Sequence, residues 1–189
     1  MHGINGKDVA SSQELPVDVA VDGNCALVGL TFGGSRLVEL AAGSYNITVH
    51  PSSGACSTQP LITQTVVVSA DANNVGLVAH LTDAASPKLT AFVNDSPKTA
   101  IFVNNAARSK RIFAGVGTKR LTVYYGNPLR NGEGIKIAEF ANNRRLIVTL
   151  IGVSKRRPFY RSPFRSDRSV VVYLLGSAKN GFLVVSQLI

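Results

Sequence analysis

Val17-Asp18-Val19-Ala20-Val21, followed at once by Asp22-Gly23, alternates apolar with small or polar residues and then meets a strong turn pair. Side chains along a strand point to opposite faces in turn, so this period of two marks a strand that ends at a turn. The signature recurs outward from it. Arg36-Leu37-Val38-Glu39-Leu40 is a second short run, followed by Ala42-Gly43. Tyr45 to Val49 alternates and stops before Pro51, and Thr65 to Val68 is rich in β-branched residues. Leu77 to Leu81 and Leu89 to Val93 complete the first half. No window of helical length carries an apolar stripe at 3.6-residue spacing. Short strands spaced roughly 8–12 residues apart predict an antiparallel β-sandwich.

The second half repeats the order. Ala100 to Val103 opens it, and Leu121 to Tyr125 runs into Gly126-Asn127. Ile135 to Ala138, Leu146 to Leu150, Val170 to Leu175 and Phe182 to Val185 follow. Leu121 stands 104 positions after Val17, Leu146 101 after Tyr45, and Val171 94 after Leu77. Two copies of one β module of about 95 residues explain these offsets. The expected fold is all-β: two tandem immunoglobulin-like sandwiches, residues 1–96 and 97–189, each closing its own apolar core. The boundary falls in the turn-rich stretch Asn94-Asp95-Ser96-Pro97. In the second copy the strand Ala100 to Val103 precedes Asn104-Asn105-Ala106. The matching place in the first copy is His2-Gly3-Ile4. The first copy thus lacks its opening strand, which predicts an exposed sheet edge unless another segment covers it.

Composition narrows the function classes. Of 189 residues, 45% are hydrophobic, enough for a folded core. No uncharged apolar run reaches the roughly 18 residues that a spanning helix needs. Trp is absent, and the 3 His, 2 Cys and 1 Met leave metal clusters and haem short of ligands. The net charge of +9 is unevenly placed. Up to Pro97, Lys7, Arg36 and Lys88 face eight acids, whereas from Lys98 onward 17 basic residues face only Glu133, Glu139 and Asp167. A basic half of this kind attracts nucleic acid, anionic glycans or lipid headgroups. Cys25 and Cys56 belong to no C-x-x-C pair and have no His cluster beside them, so a structural disulfide is the better reading. A disulfide points to an oxidising compartment, hence export. Met1 to Gly6 has no apolar signal-peptide region. The chain is therefore either cytosolic or begins after a removed leader.

Several of these stretches are familiar. His2-Gly3-Ile4-Asn5-Gly6-Lys7-Asp8, Leu15-Pro16-Val17-Asp18-Val19 with Asp22-Gly23, and Phe32-Gly33 resemble repeats of the family called domain of unknown function 4397. Leu40-Ala41-Ala42-Gly43-Ser44-Tyr45-Asn46-Ile47 and Val78-Ala79-His80-Leu81-Thr82 continue the likeness. In the second copy only Val171 to Gly176 and Gly181-Phe182-Leu183 match, with Thr122 and Gly126-Asn127 in place of the Val-Asp-Val and Asp-Gly pair. The resemblance implies an exported or surface-attached bacterial protein, periplasmic or a lipoprotein, of tandem immunoglobulin-like sandwiches. Members carry a leader and a strand before the His-Gly-Ile segment. The family supplies no activity and no catalytic residues.

Chemistry-bearing motifs are sparse. Gly115-Val116-Gly117-Thr118-Lys119 lacks phosphate-loop spacing and reads as a β-turn. His2, His50 and His80 form no spaced ligand set, and His80 reads as a packed strand histidine. Asp18 and Asp22 fall on one face of a strand and its turn; turn capping is the plain reading, carboxylate-pair hydrolysis the ambitious one. Ser35 and Ser44 lack nucleophile-elbow context. Asn46-Ile47-Thr48 matches a glycosylation sequon.

The richest segment is Lys155-Arg156-Arg157-Pro158-Phe159-Tyr160-Arg161-Ser162-Pro163-Phe164-Arg165-Ser166-Asp167-Arg168. Its prolines argue for an extended loop. Arg pairs bidentately with phosphate, sulfate or carboxylate, and Phe or Tyr stacks on sugars or bases. Lys155, Arg156, Arg157, Phe159, Tyr160, Arg161, Phe164, Arg165 and Arg168 are the candidate polyanion contacts, with Lys110-Arg111, Lys119-Arg120 and Arg144-Arg145 as extensions. The expected function is a non-enzymatic extracytoplasmic binding or adhesion protein without a cofactor, whose partner is an anionic glycan, a cell-envelope polymer or a protein. A cytosolic nucleic-acid-binding β protein is one alternative, and a small hydrolase with its site between the modules another.

Overall fold

A computed structural model describes residues 1–9, 15–52, 54–71, 74–94, 99–104, 112–117, 122–124, 131, 133–138, 145–150, 158–163, 170–177 and 179–188. Apart from one 3-10 turn over Gly6–Val9, its regular elements are strands. The chain is all-β, with sheets that are antiparallel except where noted below.

The first half contains β1 (Val17–Val21), β2 (Asn24–Leu30), β3 (Gly43–Pro51), β4 (Ile62–Val68), β5 (Asn74–Leu81) and β6 (Pro87–Asn94). The opening motif folds as read: Val21 pairs with Asn24, and Asp22 and Gly23 take φ of 49° and 80°. Two successive positive φ values give the hairpin turn whose twist matches its strands, and Gly23 meets that requirement without strain. One sheet has the order β2-β1-β3-β4, and β5-β6 is a hairpin. They face each other through Val17, Leu30, Ile47, Val49, Ile62 and Val66 on one side and Ala79 and Leu89 on the other, all buried. Each such aliphatic contributes about 1.5–3 kcal/mol when fully buried.

The second half contains β7 (Thr99–Asn104), β8 (Ile112–Gly117), β9 (Thr122–Tyr124), β10 (Glu133–Ala138), β11 (Arg145–Leu150), β12 (Pro158–Pro163), β13 (Val170–Ser177) and β14 (Gly181–Leu188). Its sheets run β12-β11-β8-β9 and β10-β7-β13-β14. The first of these is the order β2-β1-β3-β4 read from the other end, so β8, β9, β11 and β12 correspond to β1, β2, β3 and β4. The topology therefore repeats, but with a different match from the one read along the sequence. Val17 corresponds to Ile112, not Leu121, because β8 intervenes and its two glycines hide the strand period in the sequence. Gly115-Val116-Gly117 lies in β8 and not in a turn, while Thr118 and Lys119 lie outside the described residues.

Two further expectations are corrected. Arg36 to Leu40 is not a strand. Its counterpart in the second half is β10, which pairs with β7, and among the described residues no strand of the first half stands in the place of β7. Nor does each half close its own core alone. Val78 of β5 clusters with Val171, Tyr173 and Leu175 of β13, and Met1, Phe32, Phe92, Leu183 and Val185 pack around them. Residues 171–177 are buried throughout. Alternate residues of β13 thus face the first half, and Val172 and Leu174 between them are equally enclosed. A strand covered on both faces reads as a continuous apolar run, as Val-Val-Val-Tyr-Leu-Leu does. Gly33 has a φ of 78°, a backbone conformation that favours glycine, and it packs against the end of the Leu183 side chain. Of the boundary stretch, residues 95–97 lie outside the described residues.

Candidate functional site

The basic segment is an edge strand for part of its length. Pro158–Pro163 forms β12, which pairs only with β11 among the described residues. Proline cannot donate to a ladder, so its two prolines suit the rim of a sheet and cap both ends of this strand. The expected extended loop is corrected to that extent. Phe159, Tyr160 and Arg161 lie on β12, opposite Val148 and Ile147 of β11 in the cases of Tyr160 and Arg161. Arg145 stands opposite Pro163 on the interior strand β11, which β8 pairs on its other side, so the register places it two positions from Arg161 across the β11–β12 ladder. Lys155, Arg156, Arg157, Phe164, Arg165 and Arg168 lie outside the described residues, as do Lys110, Arg111, Lys119, Arg120 and Arg144.

The acidic pair is structural. Asp18 is fully buried. Its Oδ1 accepts the Gly29 N–H at 2.8 Å and the Ser52 hydroxyl at 2.6 Å, and its Oδ2 accepts the Gly54 N–H at 3.0 Å. Asp18 lies on the face of β1 opposite Val17 and ties β2 and the segment after β3 together. Asp22 accepts the Asn46 N–H at 2.7 Å and fixes the hairpin to β3. Both carboxylates are taken up by backbone groups, which is the capping role. Cys25 and Cys56 form a disulfide that fastens β2 to the same region after β3.

The histidines are dispersed. His80 is buried, with Nε2 2.6 Å from the Thr90 hydroxyl oxygen, and burial lowers its pKa. His50 sits between the Thr58 carbonyl and the Thr48 hydroxyl. His2 is buried, with Nε2 2.6 Å from the Leu15 carbonyl; burial lowers its pKa, and its Nδ1 has no hydrogen-bond partner. Among the described residues no three His, Cys, Asp or Glu side chains are grouped to hold a metal ion.

A second feature, legible only in part from sequence, lies beside the N-terminus. Met1 to Gly3 runs along β5: the Met1 ammonium donates to the Leu77 carbonyl at 2.9 Å, Ala79 N–H to Met1 O at 3.1 Å, and Gly3 N–H to Ala79 O at 2.7 Å. On its other side His2 N–H donates to Gly34 O, and Gly33 N–H to His2 O. This short piece thus lies between β5 and residues 33–34, running parallel to β5. Beyond Met1 the slot opens into a cavity of 410 Å³. Its walls include Val19, Leu37, Val38, Tyr45, Leu77 and Tyr173. Burial pushes the Met1 amine down to about 6 and the Tyr173 phenol up to about 12. The Asp8 carboxylate accepts hydrogen bonds from Ser177 and Asn180 and pins the N-terminal segment to the β13–β14 turn.

No family model matches the chain, and no curated protein matches it. No helix among the described residues is long and apolar enough to cross a membrane.

Proposed function

We propose that this chain is a non-enzymatic, extracytoplasmic binding or adhesion protein of two tandem immunoglobulin-like sandwiches, a member of the domain of unknown function 4397 family. In this reading the basic second half contacts an anionic glycan or a related cell-envelope polymer. The observation that carries it is the concentration of 17 basic residues against three acidic ones from Lys98 onward, with the densest and most aromatic part running through the edge strand β12. An edge strand leaves one side of its backbone open, so a linear polymer can lie along it. Arg161 on this edge strand and Arg145 on the neighbouring β11 are guanidinium residues, and Phe159 and Tyr160 are aromatic residues of the kind that stack on sugars. The disulfide supports export.

Heparin and DNA columns run side by side test this. The expected result is retention on heparin to a salt concentration well above that of a combined Arg156→Ser, Arg157→Ser, Arg161→Ser, Arg165→Ser variant. Elution of both proteins together at low salt overturns it. The aromatic interleaving also suits nucleic acid, whose bases stack on such rings. Stronger retention on single-stranded DNA than on heparin, falling steeply with salt, decides for that second reading.

A further inference from the structure

The sheet β2-β1-β3-β4 has a face turned away from the core, and Gly54 to Thr58 is fastened across it. Asp18 and His50 stand opposite each other on that face in the β1–β3 ladder, and both are buried. Gly54 is held by its N–H on Asp18 Oδ2 at 3.0 Å, and Thr58 by its carbonyl, which accepts from His50 Nδ1 at 2.6 Å. Between these two footholds Cys56 is bonded to Cys25 of β2. Cys25 stands opposite Ala20, the next residue of β1 on the same face as Asp18.

We propose that the Cys25–Cys56 bond is a redox latch: a dithiol reductant opens it, and Gly54 to Thr58 then lifts off the sheet and releases the Asp18 carboxylate and the His50 imidazole. Access is the first support. Cys25 is exposed on β2, which pairs only with β1 among the described residues, so it lies at a rim and not in a core. Backbone conformation is the second. Cys56 has a φ of 51°, a left-handed conformation that is unfavourable for a residue with a Cβ and persists only while its surroundings impose it. The cross-link imposes it here, and opening the bond lets Cys56 relax. The third is the weakness of the remaining ties. Gly54, Ala55 and Ser57 are exposed, and no residue from Gly54 to Thr58 belongs to the buried apolar core. A segment held by hydrogen bonds with so little apolar burial opens locally while the rest stays folded. In the reaction a thiolate of the reductant attacks the Cys25 sulfur, forms a mixed disulfide and expels Cys56 as a thiolate, which takes up a proton. The reductant's second thiolate then displaces Cys25, which is protonated in turn, and the dithiol leaves as its own disulfide, having given up two electrons.

The test treats the intact chain with dithiothreitol in native buffer and then re-oxidises it. Alkylation and mass count the thiols, and hydrogen exchange follows the amides. Complete reduction without denaturant is expected, with the Gly54 amide exchanging about a hundredfold or more faster while amides of the β1–β3 ladder keep their protection. Re-oxidation is expected to restore Gly54. The double variant Cys25→Ser, Cys56→Ser is expected to show the open pattern with no reductant present, and the parent's own reduction decides the matter whether or not that variant folds. A bond that dithiothreitol reaches only in urea overturns the proposal, as does a reduced chain in which Gly54 is as protected as before. Loss of protection in the β1–β3 ladder together with Gly54 also overturns it, because the disulfide then holds the whole first half and not one segment.

Discussion

In the second half a complete strand lies between β10 and β13; in the first half the same slot holds three residues. The comparison isolates what makes a strand. Arg36 to Leu40 has as good a strand composition as Glu133–Ala138, yet only the latter is a strand, because only it has β7 to pair with. Strand propensity describes fit to a half-buried pleated surface, and the surface must be present. The first half is also tied by devices the second lacks in sequence: a disulfide, and a buried carboxylate at Asp18 where the second half has Phe113.

The largest expected effect comes from removing that carboxylate. Asp18→Ala leaves the Gly29 and Gly54 N–H groups and the Ser52 hydroxyl without their acceptor, and is expected to cost about 3–5 kcal/mol, at about 1–3 kcal/mol per unsatisfied group. Urea unfolding measures it, and a loss under about 1 kcal/mol would show that the first half is held by other means. Next comes the disulfide. The double variant Cys25→Ser, Cys56→Ser is expected to lose about 3–4 kcal/mol for a closed loop of this length, and a free-thiol assay on the unreduced parent is expected to find no reactive thiol.

A smaller effect tracks pH. The Met1 amine is lowered from 8.0 to about 6 by burial. The folded state therefore disfavours the charged form, and stability that is complete above pH 8 is lost as pH falls toward 6. A two-unit shift corresponds to about 2–3 kcal/mol. N-terminal acetylation is expected to flatten this slope, while His2 and His80, both lowered by burial, add a further loss below about pH 6.5. An unchanged slope in the acetylated chain would refute the assignment. The smallest effect concerns the unpaired segment. Leu37→Ser is expected to change stability by no more than about 0.5 kcal/mol. Amides of Arg36 to Leu40 are expected to exchange about a hundredfold or more faster than those of Glu133–Ala138, in line with local opening of unladdered backbone.

Much of the fold could be read from residues whose pattern is local. The Val17–Val21 alternation, the Asp22-Gly23 turn and the apolar runs at β5 and β13 reflect short-range rules, and the structure follows them. Strands β2, β8 and β12 are not legible in the sequence. Gly115 and Gly117 remove side chains from alternate positions of β8, and Pro158 and Pro163 argue against a strand unless it is known to be at a rim. The gap beside β5 in the place of β7 is readable from the repeat, but its effects are not. That Arg36 to Leu40 would stay unpaired and that a cavity would open beside it depend on contacts between distant segments. The capping role of Asp18 was readable as a possibility, whereas its three donors come from residues 11 to 36 positions away.

The enclosure of β13 on both faces has a bearing on synthesis. Val78, Phe32 and Phe92 of the first half share an apolar cluster with Val171, Tyr173 and Leu175 of a strand that begins at Val170. While the chain grows on the ribosome, that flank of the first half stays bare after β6 is finished at Asn94 until β13, which begins at Val170, has been made. The order of emergence thus leaves a sticky nascent surface through the synthesis of the intervening strands, a natural binding point for chaperones until β13 docks.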